Sequence, residues 1–310
     1  MQLRQLFTLV LVFFAFLAFL PKFLPSNWLY YVFLLLIYMS ISQAWNFITG
    51  YNGLVFLGPA AAIGLAAHLM ALALLYGMQW QVSILVAITG VGAFFCLMSF
   101  PLLRMRGIYF GIGTLLLVEL LRVFFTAWDP VPELVGVGGG PGYPIRVYLT
   151  LEQIYWLGMI PAFVSIYLTL VIVNSKMGLA IAAMRDDEDE AERLGLNTFW
   201  LKVFSLVLST MIMAFAGTLF YLYQGVVNPL GGFGISWLMT CLLATVIGGL
   251  RTIIGPILGS IVMVILTIVL PGLKELSLVV EGVILVVVIS IFPRGLAQLF
   301  EKLKIILLKS

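Results

Sequence analysis

The sequence predicts an all-α fold, a polytopic bundle of membrane-spanning helices, and three observations predict it. The 310 residues are 63% hydrophobic and 9% charged, too few polar groups to cover a soluble protein of this length. Apolar runs near 20 residues recur along the whole chain, and that length crosses a hydrocarbon core. No polar stretch is long enough to form a soluble domain, so residues 1–310 read as a single transmembrane domain.

About ten spanning helices follow, at 5–23, 28–48, 58–77, 80–100, 108–127, 153–174, 199–224, 234–249, 254–271 and 278–293. The first has Arg4 and then an apolar run, like a signal peptide. P-K-F-L-P follows it rather than a small-residue cleavage site, so it reads as an uncleaved helix. Glycine and proline interrupt 28–77 and 225–260, which allows half-helices or re-entrant segments there. Broken backbone at membrane depth is tolerated only where protein or water satisfies it. The outer loop, about 128–152, contains D-P-V-P-E-L-V-G-V-G-G-G-P-G-Y-P, which disfavours regular structure and is longer than a connector needs.

Lys and Arg set the orientation. With 175–198 in the cytoplasm and the helices alternating, twelve of the 16 Lys and Arg residues lie inside; Lys22, Arg122, Arg146 and Lys274 lie outside. Both termini are then cytoplasmic.

The segment 175–198 is the one long hydrophilic stretch between two spanning runs. Residues 184–194 have helix formers with carboxylates early, where the helix dipole favours them. Arg185–Asp189 and Asp189–Arg193 are i, i+4 pairs, Gly195 fits a left-handed position after the helix, and Ala191 and Leu194 can share one face. A short helix with a small apolar spot and a charged rim suits a cleft on a protein partner; a solvated loop joining two spans has the same composition.

Polar groups inside the spans are the other candidates. Glu119 needs a partner or water at membrane depth, and Arg122 is within i, i+3 reach, with Thr114 five residues earlier. Two readings stand side by side: a structural ion pair, or groups lining a path for a zwitterion. His68, the only histidine, falls mid-span and fits a structural hydrogen bond or a substrate or proton contact. Ser40, Ser42, Gln43 and Asn46 cluster before Gly50, suited to helix–helix hydrogen bonds or to substrate. Gly255 and Gly259 form a G-x-x-x-G pair for close helix packing.

Several function classes are excluded. The net charge of +3 is diffuse, so no nucleic-acid partner is expected. The two cysteines, Cys96 and Cys241, lie in apolar runs, and neither they nor a lone histidine make a metal site. No Gly-Lys dipeptide exists, so no Walker A loop does either, and no nucleophile–base pair points to an enzyme.

S-x-x-G-x-A-x-x-A-x-R-D-D-E from Ser175, followed by A-E-R-L-G-L-N, resembles the coupling loop of the branched-chain amino-acid ABC transporter permease family, most closely its second membrane subunit. P-L-L-R-M-R-G-I-Y-F-G-I-G-T-L-L-L-V-E-L-L-R from Pro101, with Tyr109, Thr114 and Glu119, is similar to another segment of that family. G-G-G-P-G from Gly138, V-I-G-G-L-R-T-I-I-G-P-I-L-G from Val246 and F-P-R-G-L from Phe292 match further segments in order.

The resemblance implies a permease subunit of an ATP-driven importer in a prokaryotic cell membrane, without cofactor or ATPase site of its own. It implies four kinds of partner: a homologous permease, two ATP-binding subunits that carry ATP and Mg, an outer solute-binding protein, and the lipid bilayer. Arg185, Asp186, Asp187, Glu188, Ala191, Leu194 and Gly195 would couple to the ATPase; Asn46, His68, Tyr109, Thr114 and Glu119 would lie on the substrate path. A branched-chain or related small amino acid is the implied solute, with urea or a short amide as alternatives. A secondary transporter driven by an ion gradient, with Glu119 or His68 titrating, is the rival mechanism. The chain departs from the family at Glu190, where Ala is usual, and at G-L-V-F-L-G-P from Gly53, where Leu54, Phe56 and Pro59 replace polar residues. The second departure implies a different or more apolar solute.

Overall fold

The computed structural model describes residues 2–128, 138–269, 277–291 and 295–296. Among them every long element is a helix. α1 (Gln2–Phe19) ends in a 3-10 turn, and α2 (Ser26–Trp45) continues as a π-helical segment (Asn46–Tyr51). Then come α3 (Pro59–Leu75), α4 (Trp80–Leu102), α5 (Ile108–Ala127), α6 (Leu151–Val173), α7 (Lys176–Asp186), α8 (Glu188–Arg193) and α9 (Thr198–Gln224). α10 (Pro229–Gly232), α11 (Ser236–Gly248), α12 (Gly255–Val269) and α13 (Ser277–Ile291) complete the bundle.

Apolar sequence makes these segments helical because a helix satisfies its own backbone where no water is present. Local signals place the ends. Thr150 and Gln153 form a capping box at the start of α6 (Gln153 N to Thr150 Oγ1, 3.3 Å; Thr150 N to Gln153 Oε1, 2.9 Å). Pro59 opens α3, where its missing N–H costs nothing. Gly225, at φ 77°, closes α9.

Among the described residues, six helical stretches are long and apolar enough to cross a membrane: Ser26–Tyr51, Trp80–Leu102, Ile108–Ala127, Leu151–Val173, Thr198–Gln224 and Pro229–Gly248. Val10–Lys22, Pro59–Leu75 and Gly255–Val269 are apolar but shorter. Helices lie in all ten expected runs, with residues 270–271 and 292–293 of the last two outside the described residues, yet only these six are long and apolar enough to cross. The protein is a multi-pass, all-α membrane bundle.

α2 and α9 form its centre. α2 packs against α6, α9, α11 and α12, and α9 also packs against α3, α4 and α6. α5 sits at the edge, with lighter contacts to α3, α4 and α10. Leu85, Leu97, Leu116, Leu120 and Ile265 point outward, an apolar exterior suited to lipid. At one end of the bundle, residues 52–55, 103, 105–107, 184–188 and Lys202 line a common cavity. At the other, Leu74, Leu75, Gly77, Met78 and Trp80 face Pro144 and residues 146–149 across a groove, and a two-residue strand β1 (Tyr143–Pro144) pairs antiparallel with β2 (Val226–Val227). The Gly/Pro-rich loop is thus partly docked; residues 129–137 of it lie outside the described residues.

The expected helix at 184–194 is instead broken. Asp187 adopts extended backbone (φ −153°, ψ 112°) and caps α8, accepting Glu190 N–H at 2.9 Å. A short side chain that can cap competes with helix continuation. The break also redirects the charges. Arg185 pairs with Asp186 at 2.7 Å, Arg193 with Glu190 at 3.9 Å and Asp189 with Arg106 at 3.9 Å, so neither expected i, i+4 pair forms.

The α11–α12 contact depends on glycine. A Cβ on Gly259 would overlap the Ala244 carbonyl, and one on Gly248 would overlap the Gly255 carbonyl. Gly259→Leu is therefore expected to cost at least the ~1–3 kcal/mol of an overpacked core and to lower the thermal unfolding temperature of the detergent-purified protein. Gly282→Ala, which meets nothing within 4 Å, is the control expected to leave it unchanged.

Candidate functional site

The charged segment is seated on the end of the bundle by apolar residues. Ile181 packs with Phe47 and Ile172, and Met184 is buried as well. Ser175 caps α7, donating to Ile172 O at 2.7 Å and accepting from Gly178 N–H at 3.4 Å. α8 is tied down by Glu188, which pairs with Lys202, and by Glu192, which accepts from Thr198 Oγ1 at 2.5 Å. It ends as expected at Gly195, φ 85°, where Leu196 N–H reaches Ala191 O at 3.1 Å and Gly195 N–H reaches Glu192 O at 2.9 Å.

The outward face of this hairpin carries Asp186, Asp187, Asp189, Glu190 and Leu194. Ala191 is turned inward at 1% exposure while Leu194 stands out at 75%, so they do not form the shared apolar spot that their spacing allowed. Glu188 and Arg185 are partly covered, each drawn into an ion pair.

Arg185 links the hairpin to the membrane part. Its stem lies over Gly53, where an added Cβ would sit 2.7 Å from Arg185 Cγ. Gly53 has φ 82°, a left-handed conformation suited to glycine. It belongs to a non-helical strap, residues 52–58, between the π-helical end of α2 and the start of α3. Sequence reasoning allowed a break in this region but did not find the π-helical segment.

The strap is held by side chains. Trp45 Nε1 donates to Phe56 O at 2.7 Å, and Leu57 N–H donates to Thr114 Oγ1 at 3.1 Å. Thr114 in turn donates to Gly111 O at 2.8 Å. Phe56 is fully buried against Phe95, ring centroids 6.1 Å apart, and Pro59 is buried too. Two of the three residues expected to be unusual in segment 53–59, Phe56 and Pro59, therefore serve the core.

Asn46 is fully buried and bridges to the α11–α12 turn. Its Nδ2 donates to Thr252 O at 2.9 Å and its Oδ1 accepts from Arg251 N–H at 3.0 Å. Ser42 O accepts from Thr245 Oγ1 at 3.2 Å. Both amide atoms of Gln43 and of Asn52 are buried without a hydrogen bond among the described residues.

His68 is enclosed by rings: Phe125 at 4.5 Å, Phe233 at 5.2 Å and Tyr143 at 6.0 Å between centroids. Its Nδ1 lies 2.8 Å from Gly64 O, while Nε2 is buried without a hydrogen bond among the described residues.

Glu119 and Arg122 form a two-pronged pair on α5, with side chains 54% and 36% exposed. They line a groove of about 470 Å3 with Leu57, Ala60, Leu115, Phe233 and Leu238. Tyr109 is exposed at the start of the same helix. The five expected path residues do not converge. Glu119 lines the groove, His68 lies one ring behind it under Phe233, Thr114 anchors the strap, Asn46 is held inside the bundle, and Tyr109 faces outward.

Comparison with known proteins gives relatives of one kind. The permease protein LivM of a high-affinity branched-chain amino acid transport system in Escherichia coli (strain K12) is 26% identical over 259 residues, 75% of this chain and 61% of that protein. LivH of the same organism is 32% identical over 114 residues, 37% of this chain and 36% of LivH. LsrC, an autoinducer 2 import system permease protein of Yersinia enterocolitica, is 28% identical over 203 residues, 64% of this chain and 55% of LsrC. The chain spans about three fifths of the length of the LivM proteins it matches. No solved structure matches it. The family model described as branched-chain amino acid transport system / permease component matches residues 25–289, and the chain belongs to that family.

Proposed function

We propose that this chain is one permease subunit of an ATP-driven importer for a branched-chain or related small amino acid. It works beside a homologous permease, two ATP-binding subunits that carry ATP and Mg, and an outer solute-binding protein in a prokaryotic cell membrane. The observation that carries this reading is the α7–α8 hairpin, a short acidic double helix seated on one end of an apolar bundle, with its charges and Leu194 turned outward. The relatives that transport branched-chain amino acids are the support for the solute, and LivH beside LivM is the support for a second permease.

In this reading the chain crosses the membrane ten times, α1 to α6 and α9, α11, α12 and α13, with both termini cytoplasmic. The shorter helices then cross with help from flanking turns and packing. Nucleotide binding moves the ATPase; the ATPase moves α7–α8; the bundle alternates between openings to either side. The Glu119–Arg122 pair lies along an otherwise apolar helix, and such a pair is costly against lipid. Its groove therefore faces water or the second permease, where opposite charges suit a zwitterionic solute.

Two outcomes test this. Charge reversal at Arg185, Asp186 and Asp187 is expected to leave the subunit in the membrane and to abolish solute-stimulated ATP hydrolysis by the assembled complex; normal stimulation refutes the coupling role. Glu119→Gln is expected to lower leucine uptake into cells by about tenfold or more, the cost of one charge-assisted hydrogen bond. Unchanged uptake kinetics would make the pair structural.

A further inference from the structure

We propose that the strap, residues 52–58, is the element through which α7 acts on α5, with Gly53 under Arg185 as its input and Thr114 as its output. This rests on the coupling reading above and names the residues inside the bundle that it requires.

The chain connectivity poses the problem. α7 continues directly from α6, and α8 leads directly into α9, so displacement of the hairpin reaches those helices through covalent bonds. α5, which bears Glu119 and Arg122 along the groove, has no such link. Its end of the bundle meets the hairpin directly through Arg106 and Asp189, 3.9 Å apart and 79% and 69% exposed. A pair that exposed transmits little.

The strap offers a second route, through backbone and packed side chains: Asn52, Phe56 and Gly58 are buried, while Gly53 and Val55 are exposed. At one end the stem of Arg185 rests on Gly53, with three of its carbons 2.7, 3.6 and 3.7 Å from where a Cβ would be. Asp186 holds the guanidinium by Nε at 3.0 Å and Nη2 at 2.7 Å, so the stem is fixed to the hairpin. At the other end the strap lies directly on α5. Val55 O is 3.1 Å from a Cβ position on Gly111, Thr114 O is 2.9 Å from one on Gly58, and Leu57 N–H is bonded to Thr114 Oγ1. Both close approaches exist because the residue is glycine. Between the ends, Leu54 N–H to Ile48 O at 3.2 Å and Trp45 Nε1 to Phe56 O hold the strap to α2. A non-helical segment held at both ends transmits displacement along its length and has no helical turns to absorb it.

The test reads two displacements in the complex assembled with its partner subunits, in a Cys96→Ser, Cys241→Ser background. Spin labels at Leu97→Cys on α4 and Leu179→Cys on α7 report the hairpin; labels at Leu97→Cys and Leu120→Cys report α5. All three label positions are exposed. On trapping with ATP and vanadate, both pairs are expected to change distance. In Thr114→Val the hairpin pair still shifts and the α5 pair loses its shift; in Thr114→Ser, which keeps the hydroxyl, both return. Gly53→Ala is expected to alter the α5 shift alone and to do so less in an Arg185→Ala background, since the contact is between those two residues. An α5 shift undiminished in both Thr114→Val and Gly53→Ala overturns the strap proposal while leaving coupling intact. Absence of the hairpin shift in the parent protein overturns the coupling reading itself.

Discussion

Backbone that leaves the helix inside a membrane has to find its hydrogen bonds within the protein, and here that requirement converges on Asn46. Its carboxamide serves the Arg251 N–H and the Thr252 carbonyl, two groups of a turn some two hundred residues away. Arg251 holds φ 63° there, a conformation unusual for a residue with a side chain, and the bond from Asn46 stabilises it. Gly50 makes this possible, because a Cβ on it would overlap Asn46 Oδ1. The clasp fixes where α2 unwinds into its π-helical segment. That sets where the strap begins and how α3 and α12 start. A π-helical segment often marks a functional position, and this one leads directly to the contact with Arg185.

Hydropathy located the helices well because a run of apolar residues reports length directly, though only six of the described helices are long and apolar enough to cross a membrane. α4 and α5 begin at the expected residues and end within two of them. It did not report bends. The π-helical segment, the short α10 before α11 and the pairing of Tyr143–Pro144 with Val226–Val227 depend on partners distant in sequence, and no local period encodes them. Asn46 was visible as a polar residue in a span, but its partners at 251 and 252 were not.

The charged hairpin was conspicuous by composition, and the close of α8 at Gly195 by its residue type. Its internal break was not, since Asp187 is equally at home in a first turn or as a cap, and packing against Lys202 and Thr198 favours the second. The same packing turns Ala191 inward and leaves Leu194 out. Spacing of three places two residues on neighbouring parts of a helix surface, but in a helix of six residues each part meets something different. The outward surface is therefore carboxylates and Arg193 around one leucine, a mostly electrostatic face.

The strap's unusual residues bear on what such a permease can carry. Phe56 is packed against Phe95 and offers its carbonyl to Trp45, and Pro59 starts α3, so neither side chain is free to bind a solute. Leu57 and Ala60, which do line the groove beside α5, are apolar. The hydrogen-bonding groups along that groove are then concentrated in Glu119 and Arg122, while the remainder of its lining suits a hydrocarbon side chain. A small zwitterion with an aliphatic side chain fits both halves of this description. Urea, with donors and acceptors on every side and no apolar surface, would leave most of the lining without a counterpart. Within the proposed function, where this groove lies on the solute path, the same chemistry that makes the pair costly against lipid favours an aliphatic amino acid over an amide.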